Sequence, residues 1–294
     1  GQLGDASNTN RSAPVQINAG TWVDATRGEI RKIQQCSGAS YSSTAILTST
    51  GEIWVTGYNV NGWHAMDNVT ALNEFTRCLR GPGSATWVGH ADNVVSSTKA
   101  VNIWYTGNGN HVQMWIRDDL GYTWVCGRNH FHVFGDYAGS TTNSSVPVLS
   151  YIAVPDTTHA KAIAGVMTRS HLRNVKNVAC LPGNDSNTDS SSVIFVTDEG
   201  NSWVNGKADY GCLSSGRADS EVAVNSDGAH GLDLQNNGWH QPVRAGAMAQ
   251  GHFVDVVGAG HRQGNDAHMM TLWQTDQNRC FKAGRGNSGS GQHA

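Results

Sequence analysis

The sequence has few charged residues and lacks the long apolar runs that a membrane-spanning helix requires. Charged side chains make up 15% of its 294 residues, against about 25% in an average soluble domain. No uninterrupted apolar segment approaches the ~20 residues that cross a bilayer. A formal net charge of −3 leaves no basic excess for binding nucleic acid or an anionic membrane. The sequence therefore argues against long exposed helices, membrane insertion and nucleic-acid binding.

Cysteine is also sparse. The six cysteines form no CxxC pair and are too dispersed for a zinc ribbon or a disulfide framework, so we expect buried free thiols. Glycine, by contrast, is abundant, with 35 residues, and Asn, Ser and Thr are frequent throughout the chain. This composition predicts a loop-rich, all-β protein. The cysteines are Cys36, Cys78, Cys126, Cys180, Cys212 and Cys280.

One pattern recurs four times along the chain. Each copy consists of an apolar strand, a turn and a second strand with an aromatic residue, as in a β-hairpin. The turn residue is glycine in three copies and asparagine in the fourth, and both residues tolerate the positive φ of a hairpin turn. The hairpins lie near 44–62, 112–129, 192–211 and 268–289, and their turn residues are Gly51, Gly121, Gly200 and Asn278.

Two further strands accompany each hairpin. An apolar strand precedes it immediately, and a strand marked by Pro or Val lies upstream again. Four strands per repeat predict the blade of a β-propeller, in which neighbouring blades bury each other's faces. The segment HAKAIAGVMTRSHL, at the end of the loop 155–172, is compatible with a short helix. The apolar strands are 30–36, 101–107, 175–181 and 253–259; the marked strands are 13–17, 146–152 and 241–246, with a weaker one near Phe75.

These repeats resemble those of the regulator of chromosome condensation family. The resemblance is carried by the opening GQLGDASNTNRSAPVQI and by TAILTSTGEIWVTGYNVNG at 44–62, which are similar to the family pattern HTLALT-x-x-G-x-V-W-x-W-G-x-N-x-x-G-Q-L-G followed by a P-x-x-V strand. It spans essentially the whole chain and implies a β-propeller. The sequence departs from the pattern where GQLG becomes GWHA at 62–65 and GQHA at 291–294, and where the hairpin histidine, present as His111, is missing from the first copy.

The resemblance also carries an expectation about closure. Propellers of this family usually close with seven blades, and the chain begins and ends at the same point of the repeat. We therefore expect a single propeller segment over 1–294 that forms part of a seven-bladed ring within a longer polypeptide. A ring completed by another copy of the chain and a compact four-bladed ring are the alternatives.

Three short motifs are the candidate binding residues. Two GWH triplets lie in or beside loops toward the surface, where an exposed Trp beside His suits a partner contact. Packing beneath the long loops is the favoured interpretation of the two. An HFH triplet falls where the other copies carry the N-x-x-G turn, and the sequence places no third ligand that would complete a metal site there. The candidate binding residues are Trp63, His64, His130, Phe131, His132, Trp239 and His240.

No catalytic, metal or cofactor site is expected. The loop 185–189 has the alternating oxygen ligands of a calcium loop, but Ser190 and Val196 replace the required Gly and Glu. The string GNSGSG at 286–291 has no Asp and His partners fixed nearby. The repeated tryptophans at 54, 124 and 203 occupy equivalent positions and indicate core packing.

The function predicted from the sequence is non-enzymatic recognition of a protein or cell-surface partner. Low charge and richness in Gly, Asn, Ser and Thr are typical of extracellular or virion-surface proteins such as phage tail fibres, which favours a structural or attachment component of a larger assembly. A cytoplasmic location is the alternative. The family resemblance implies a second possible function, guanine nucleotide exchange on a Ran-type GTPase. A glycan-active enzyme is a third, although the 23 Asp and Glu residues are dispersed.

Overall fold

In a computed structural model, the regular structure of the described residues consists of 18 β-strands. The sheets divide between two compact units, Gly1–Arg128 with Asn143–Val148, and Asn129–Thr142 with Leu149–Ala294. The described residues are 1–17, 28–36, 41–78, 99–107, 111–129, 133–134, 143–155, 167–181, 192–207, 232–233, 238–244, 252–263 and 266–284.

The first unit contains two antiparallel sheets of four strands each, joined in simple chain order. This meander is the arrangement expected for a propeller-type blade. Sheet I consists of β1 (Ile30–Cys36), β2 (Ser43–Thr48), β3 (Ile53–Gly57) and β4 (Leu72–Arg77). Sheet II consists of β5 (Ala100–Thr106), β6 (Gln113–Asp118), β7 (Thr123–Gly127) and β8 (Ser144–Leu149).

The second unit contains the remaining strands. Sheet III follows the order β11–β12–β13–β15–β14, and sheet IV follows the order β16–β17–β18. Sheet III is built from β11 (Val175–Leu181), β12 (Ser192–Thr197), β13 (Ser202–Lys207), β14 (Leu232–Asp233) and β15 (Gly238–Arg244). Sheet IV is built from β16 (Phe253–Gln263), β17 (Asp266–Thr275) and β18 (Cys280–Gly284), and β9 (Tyr151–Pro155) pairs with β10 (Met167–His171).

The four predicted hairpin turns are confirmed. Each turn residue has a positive φ, and its N–H donates to the carbonyl three residues earlier at 3.0–3.1 Å. Asn278 takes the left-handed conformation at φ 58° without the freedom of glycine, as asparagine does more readily than other residues with a Cβ. The glycines have φ of 86° at Gly51, 87° at Gly121 and 75° at Gly200.

The first strand of each of the sheets I to IV carries an irregularity at the same point. The register of the pairing shifts between Ile30 and Lys32 in sheet I, and at the matching positions of the other three sheets. A β-bulge of this kind re-aims the side chains beside it. The bulges establish the equivalence of four residues that is used below, namely Lys32, Asn102, Asn177 and Asp255.

Three expectations about strands and helices are wrong. The marked strand belongs to the sheet of the preceding hairpin, because β4, β8 and β15 follow β3, β7 and β13 in their sheets. No strand lies at 13–17, and 146–152 is divided between β8 and β9. The helix expected near 159–172 is a strand over Met167–His171, and 156–166 lie outside the described residues.

Each sheet has two faces that are distinguished by the register. Face A carries Ile33 of sheet I and its equivalents, and face B carries the residues one position later, beginning with Gln34. Within the first unit, Cys36 of face B packs with Val112 and the partly buried Tyr105 from face A of sheet II. Within the second unit, the indole of Trp273 on face A of sheet IV donates to Ser202 Oγ of sheet III at 3.1 Å. Face B of one sheet therefore packs on face A of the next in both units.

Candidate binding surface

The segment 62–65 forms the same turn as the opening GQLG. The N–H of Gly4 donates to Gly1 O at 3.0 Å, and the N–H of Ala65 donates to Gly62 O at 3.3 Å. The GWHA departure from the family pattern therefore leaves the backbone of the turn unchanged. The matching residues with positive φ are Gly4 at 68° with Ala65 at 53°, and Ala6 at 59° with Asp67 at 60°.

This turn is inserted between sheets I and II. The indole N–H of Trp63 donates to Ser43 Oγ of sheet I at 3.0 Å, and the carbonyl of Trp63 accepts the Cys126 thiol of sheet II at 3.5 Å. The side chains of Trp63 and His64 are both 0% exposed. The expected surface location of this pair is therefore wrong. The favoured interpretation, packing in the interior, is correct, although a sheet on each side covers the turn rather than a long loop.

His64 is buried without hydrogen bonds to its ring. Its backbone N–H donates to Asn59 Oδ1 at 2.9 Å, but neither ring nitrogen has a partner. Burial lowers the pKa of His64 to about 3, so the imidazole is neutral at physiological pH. Among the residues that the structure describes, no group of three His, Cys, Asp or Glu side chains is arranged to hold a metal ion.

Buried thiols surround the same turn. The Cys78 thiol donates to His64 O at 3.1 Å, next to the bond between Cys126 and Trp63. Burial raises the pKa of Cys126 to about 12 and that of Cys36 to about 11. Because the thiolate is the nucleophile, these cysteines are unreactive packing groups at neutral pH.

The five described cysteines are all free thiols, as expected. Burial is confirmed for three of them, whereas Cys180 is half-buried and Cys280 is exposed. Cys212 lies outside the described residues.

The loop that carries the buried pair also presents an exposed apolar patch. Tyr58 is 39% exposed and Val60 is 40% exposed, and the ring of Tyr41 meets the ring of Tyr58 edge-on at 5.0 Å. We call the exposed Tyr58 and Val60, together with the half-buried Tyr41 beside them, the Tyr58 patch. The backbone of Tyr58 is held on both sides, since its N–H donates to Ser42 O at 3.1 Å and its carbonyl accepts Ser43 Oγ at 2.6 Å.

Asparagine side chains hold the rest of this loop. Asn59 is 0% exposed, and while its Oδ1 accepts the His64 N–H, its Nδ2 donates to Asn68 O at 2.9 Å. Farther along, Asn143 Nδ2 donates to Asn61 Oδ1 at 2.9 Å. The Tyr58 patch is therefore presented by a loop whose conformation is fixed before any partner arrives.

For the other five candidate binding residues, the structure describes the backbone of two. Trp239 and His240 lie in β15, for which only the backbone is described, and Trp239 pairs with Gly206 and Leu232. The HFH triplet, His130 to His132, lies outside the described residues. The binding role of these five residues stays a prediction.

The sequence analysis did not identify Tyr58 and Val60. Both follow the repeat glycine Gly57, where the hairpin ends, and an aromatic and a branched apolar residue at the start of a polar loop were the available signal. Trp63 is the larger apolar residue of the same loop and the more obvious candidate from its type, but its burial depends on sheet stacking.

No described helix is long and apolar enough to cross a membrane.

In comparisons with known proteins, the chain matches solved structures only. No family model matches it, and no curated protein does. It is 13% identical to human WBSCR16 over 90% of this chain and 65% of that one, with a TM-score of 0.43. It is also 13% identical to yeast RCC1 (Prp20) solved bound to Kap60, over 87% of this chain and 56% of that one, with a TM-score of 0.40.

A second structure of Prp20p, from Saccharomyces cerevisiae, is 14% identical over 87% of this chain and 57% of that one, with a TM-score of 0.39. The chain spans less than two thirds of the length of each of these neighbours. The all-β class predicted from the sequence is confirmed by the sheets, and the structural neighbours include RCC1, the namesake of the family whose repeat the sequence resembles.

Proposed function

We propose that this chain is a non-enzymatic recognition module that binds a protein or cell-surface partner, as a structural or attachment component of a larger extracellular or virion assembly. The observation that carries the proposal is the Tyr58 patch, in which the exposed side chains of Tyr58 and Val60 lie on a loop fixed by hydrogen bonds from Ser43 and Asn59. The five candidates that remain after the buried Trp63 and His64 are the second group to test: His130, Phe131, His132, Trp239 and His240.

The chemistry of the patch suits protein recognition. Tyrosine offers a large contact area and a hydroxyl while losing the freedom of only two side-chain torsions on binding, and it is enriched at interfaces. Because the Asn59 amide holds the loop from within, little additional ordering of the backbone is required on association. A rigid scaffold with binding residues on its loops is the usual division of labour in such folds.

The electrostatics support recognition over catalysis. The strongly shifted groups around the GWHA turn are thiols and a histidine whose shifts arise first from burial, and buried groups without charged partners serve packing more readily than acid–base chemistry. The extracellular or virion location is supported by composition alone, with 15% charged residues and 35 glycines.

The test is incorporation of the chain into its native assembly. Tyr58→Ala and Val60→Ser variants are introduced at the native locus, and the fraction of chain that co-sediments with the assembly is measured. The matched control is Leu120→Ser, since Leu120 is 44% exposed on the hairpin turn of sheet II. We expect the patch variants to lower incorporation at least about tenfold, the effect of losing an interfacial hot spot, and the control to leave it unchanged.

Two results would overturn the proposal. If the native chain is found free of any assembly, the attachment role is excluded. If the chain accelerates release of labelled GDP from a Ran-type GTPase, the exchange function replaces it; one of the solved neighbours, Prp20p, binds Gsp1p and histones.

A further inference from the structure

Face A of sheet I and face B of sheet IV are more exposed than the same faces of the other sheets at the positions compared. On face A, Ile33 is 57% exposed, whereas the equivalent Ile103, Val178 and Val256 are 0%, 9% and 2% exposed. Side chains of the same kind, at the same register, are therefore covered in three sheets and uncovered in sheet I.

One further position on sheet I and one in the opening turn show the same difference in exposure. Ile30, which pairs with Thr48 on the same face, is 50% exposed. Its equivalents are buried, with Ala100 at 4%, Val175 at 0% and Phe253 at 9% exposure. Leu3, in the opening turn that lies against sheet I, is 44% exposed, while His64 at the equivalent position is 0% exposed.

On sheet IV, face B is the exposed face. Val257 is 57% exposed, against 5% for Trp104 and 8% for Ala179 at the same position. Leu272, which pairs with Val257, is 40% exposed. Its equivalents on β2, β6 and β12 are all 0% exposed: Ala45, Trp115 and Ile194.

We propose that these two faces bind each other between copies, so that face B of sheet IV in one chain docks on face A of sheet I in a second copy. The packing rule on which the proposal rests is observed twice inside the chain, where face B of sheet I packs on face A of sheet II and face B of sheet III packs on face A of sheet IV. The contact joins two different surfaces, so it is heterologous and each copy retains one free face.

Charge along the first strands favours the same pairing. Lys32 Nζ donates to Asn102 Oδ1 at 2.7 Å, and Asn177 Nδ2 donates to Asp255 Oδ1; each bond joins the bulge residue of one sheet to that of the next. The bulge residues of the two proposed docking sheets, Lys32 of sheet I and Asp255 of sheet IV, carry opposite charges, so these charges attract each other between copies.

The test uses variants that block one face each. Ile33→Glu places a charge on face A of sheet I, and Leu272→Glu places one on face B of sheet IV. Both residues are exposed, so the variants are expected to fold like the parent chain, which circular dichroism and thermal unfolding check. Leu120→Glu is the matched control, with a similar exposure of 44% outside both faces.

Sedimentation equilibrium on the 294-residue chain gives the readout. We expect the parent chain and the control to show masses that rise with concentration above the 31.4 kDa of one copy. Each single-face variant alone is expected to associate at least about tenfold more weakly. An equimolar mixture of the two variants is expected to form a 1:1 dimer and nothing larger, because one open face A meets one open face B.

Several outcomes would contradict the proposal. A parent chain that stays at 31.4 kDa at its highest soluble concentration has no such contact. If both variants associate as strongly as the parent chain, the contact lies elsewhere. If the equimolar mixture forms no dimer, the contact does not join face A of one copy to face B of another. A native polypeptide that is monomeric and much heavier than one copy would assign the two faces to further repeats of the same polypeptide. None of these results depends on the Tyr58 patch.

Discussion

The turn at 1–4 and the turn at 62–65 have the same backbone and opposite surroundings. Each closes with a hydrogen bond to the first glycine of the turn, and each places its fourth residue at positive φ. Yet Leu3 is 44% exposed, while His64 at the equivalent position is 0% exposed. An apolar residue is in solvent and a polar one is in the core, which is the reverse of what residue type alone predicts.

The difference is caused by neighbouring sheets. The 62–65 turn is bonded to sheet I through Ser43 and to sheet II through Cys126, whereas the opening turn has contacts with sheet I, including Gln2 O, which accepts the Thr44 hydroxyl. In a repeat fold the local sequence therefore determines the shape of a turn, and the stacking of repeats determines its burial.

The largest expected difference between the two turns is at their second residues. Trp63→Ala removes a fully buried indole and its bond to Ser43, and should lower the free energy of unfolding by about 3–5 kcal/mol. Gln2→Ala changes an exposed side chain and should alter it by less than about 0.5 kcal/mol. Urea unfolding of both variants measures the comparison. Equal losses would show that the indole is not enclosed between the sheets.

His64→Phe tests the cost of burying a polar ring. Since neither nitrogen has a partner, the apolar ring should raise the free energy of unfolding by about 1–3 kcal/mol. Phe134, 1% exposed, occupies the matching position after Asn129, whose Oδ1 accepts the Phe134 N–H at 3.1 Å. Unfolding at pH 7 measures the gain, and a destabilised variant would mean that the ring nitrogens do find partners.

The same variant should change the acid response. The pKa of His64 in the folded chain is about 3, below its usual 6.5, so the unfolded chain binds a proton first as pH falls. Stability should therefore decrease from pH 6.5 towards pH 3, by roughly 1 kcal/mol per unit. In His64→Phe this contribution to the slope disappears, and an unchanged slope would contradict the assignment.

Exchanging the fourth residues of the two turns has a smaller effect. Ala65→Gly relieves the left-handed conformation of a residue with a Cβ and should stabilise by about 0.5–1 kcal/mol. Gly4→Ala should destabilise by about 1–3 kcal/mol, because the new Cβ meets the ring of Phe75. Thermal unfolding of the two variants gives the signs. A gain from Gly4→Ala would show that the opening turn does not pack on sheet I as described.

The smallest expected effect concerns Lys32, beside the ring of Trp104 at 4.6 Å. Burial lowers the pKa of Lys32 to about 8 from its usual 10.5, although the bond to Asn102 and the aromatic face favour the ammonium. Between pH 8 and 10.5 the unfolded chain holds the proton more strongly, so stability should rise with pH there. Lys32→Met should remove the rise in alkaline denaturation curves, and a rise that persists would assign it to another group.

Sequence alone predicted what short-range geometry determines. The positive φ at Gly51 and Asn278 was predictable because hairpin turns admit few residue types, and so were the hairpins themselves. The sheet to which each marked strand belongs was not predictable, since pairing to the preceding or following hairpin satisfies the same local pattern. The turn that carries Trp63 and His64 was recognisable from the sequence. Its burial was not predictable, because the stacking of sheets determines it.

Sheet stacking, not residue type, determines which of the two turns is buried. Oxidative footprinting tests this statement, because it compares the oxidation rate of each side chain in the folded chain with its rate in the urea-unfolded chain. The Leu272→Glu variant is used, since the proposed contact between copies is blocked in it. We expect Leu3 to be oxidised at close to its unfolded rate, and Trp63 and His64 to be protected at least about tenfold. Oxidation of Trp63 at its unfolded rate, or protection of Leu3 equal to that of His64, would contradict this statement.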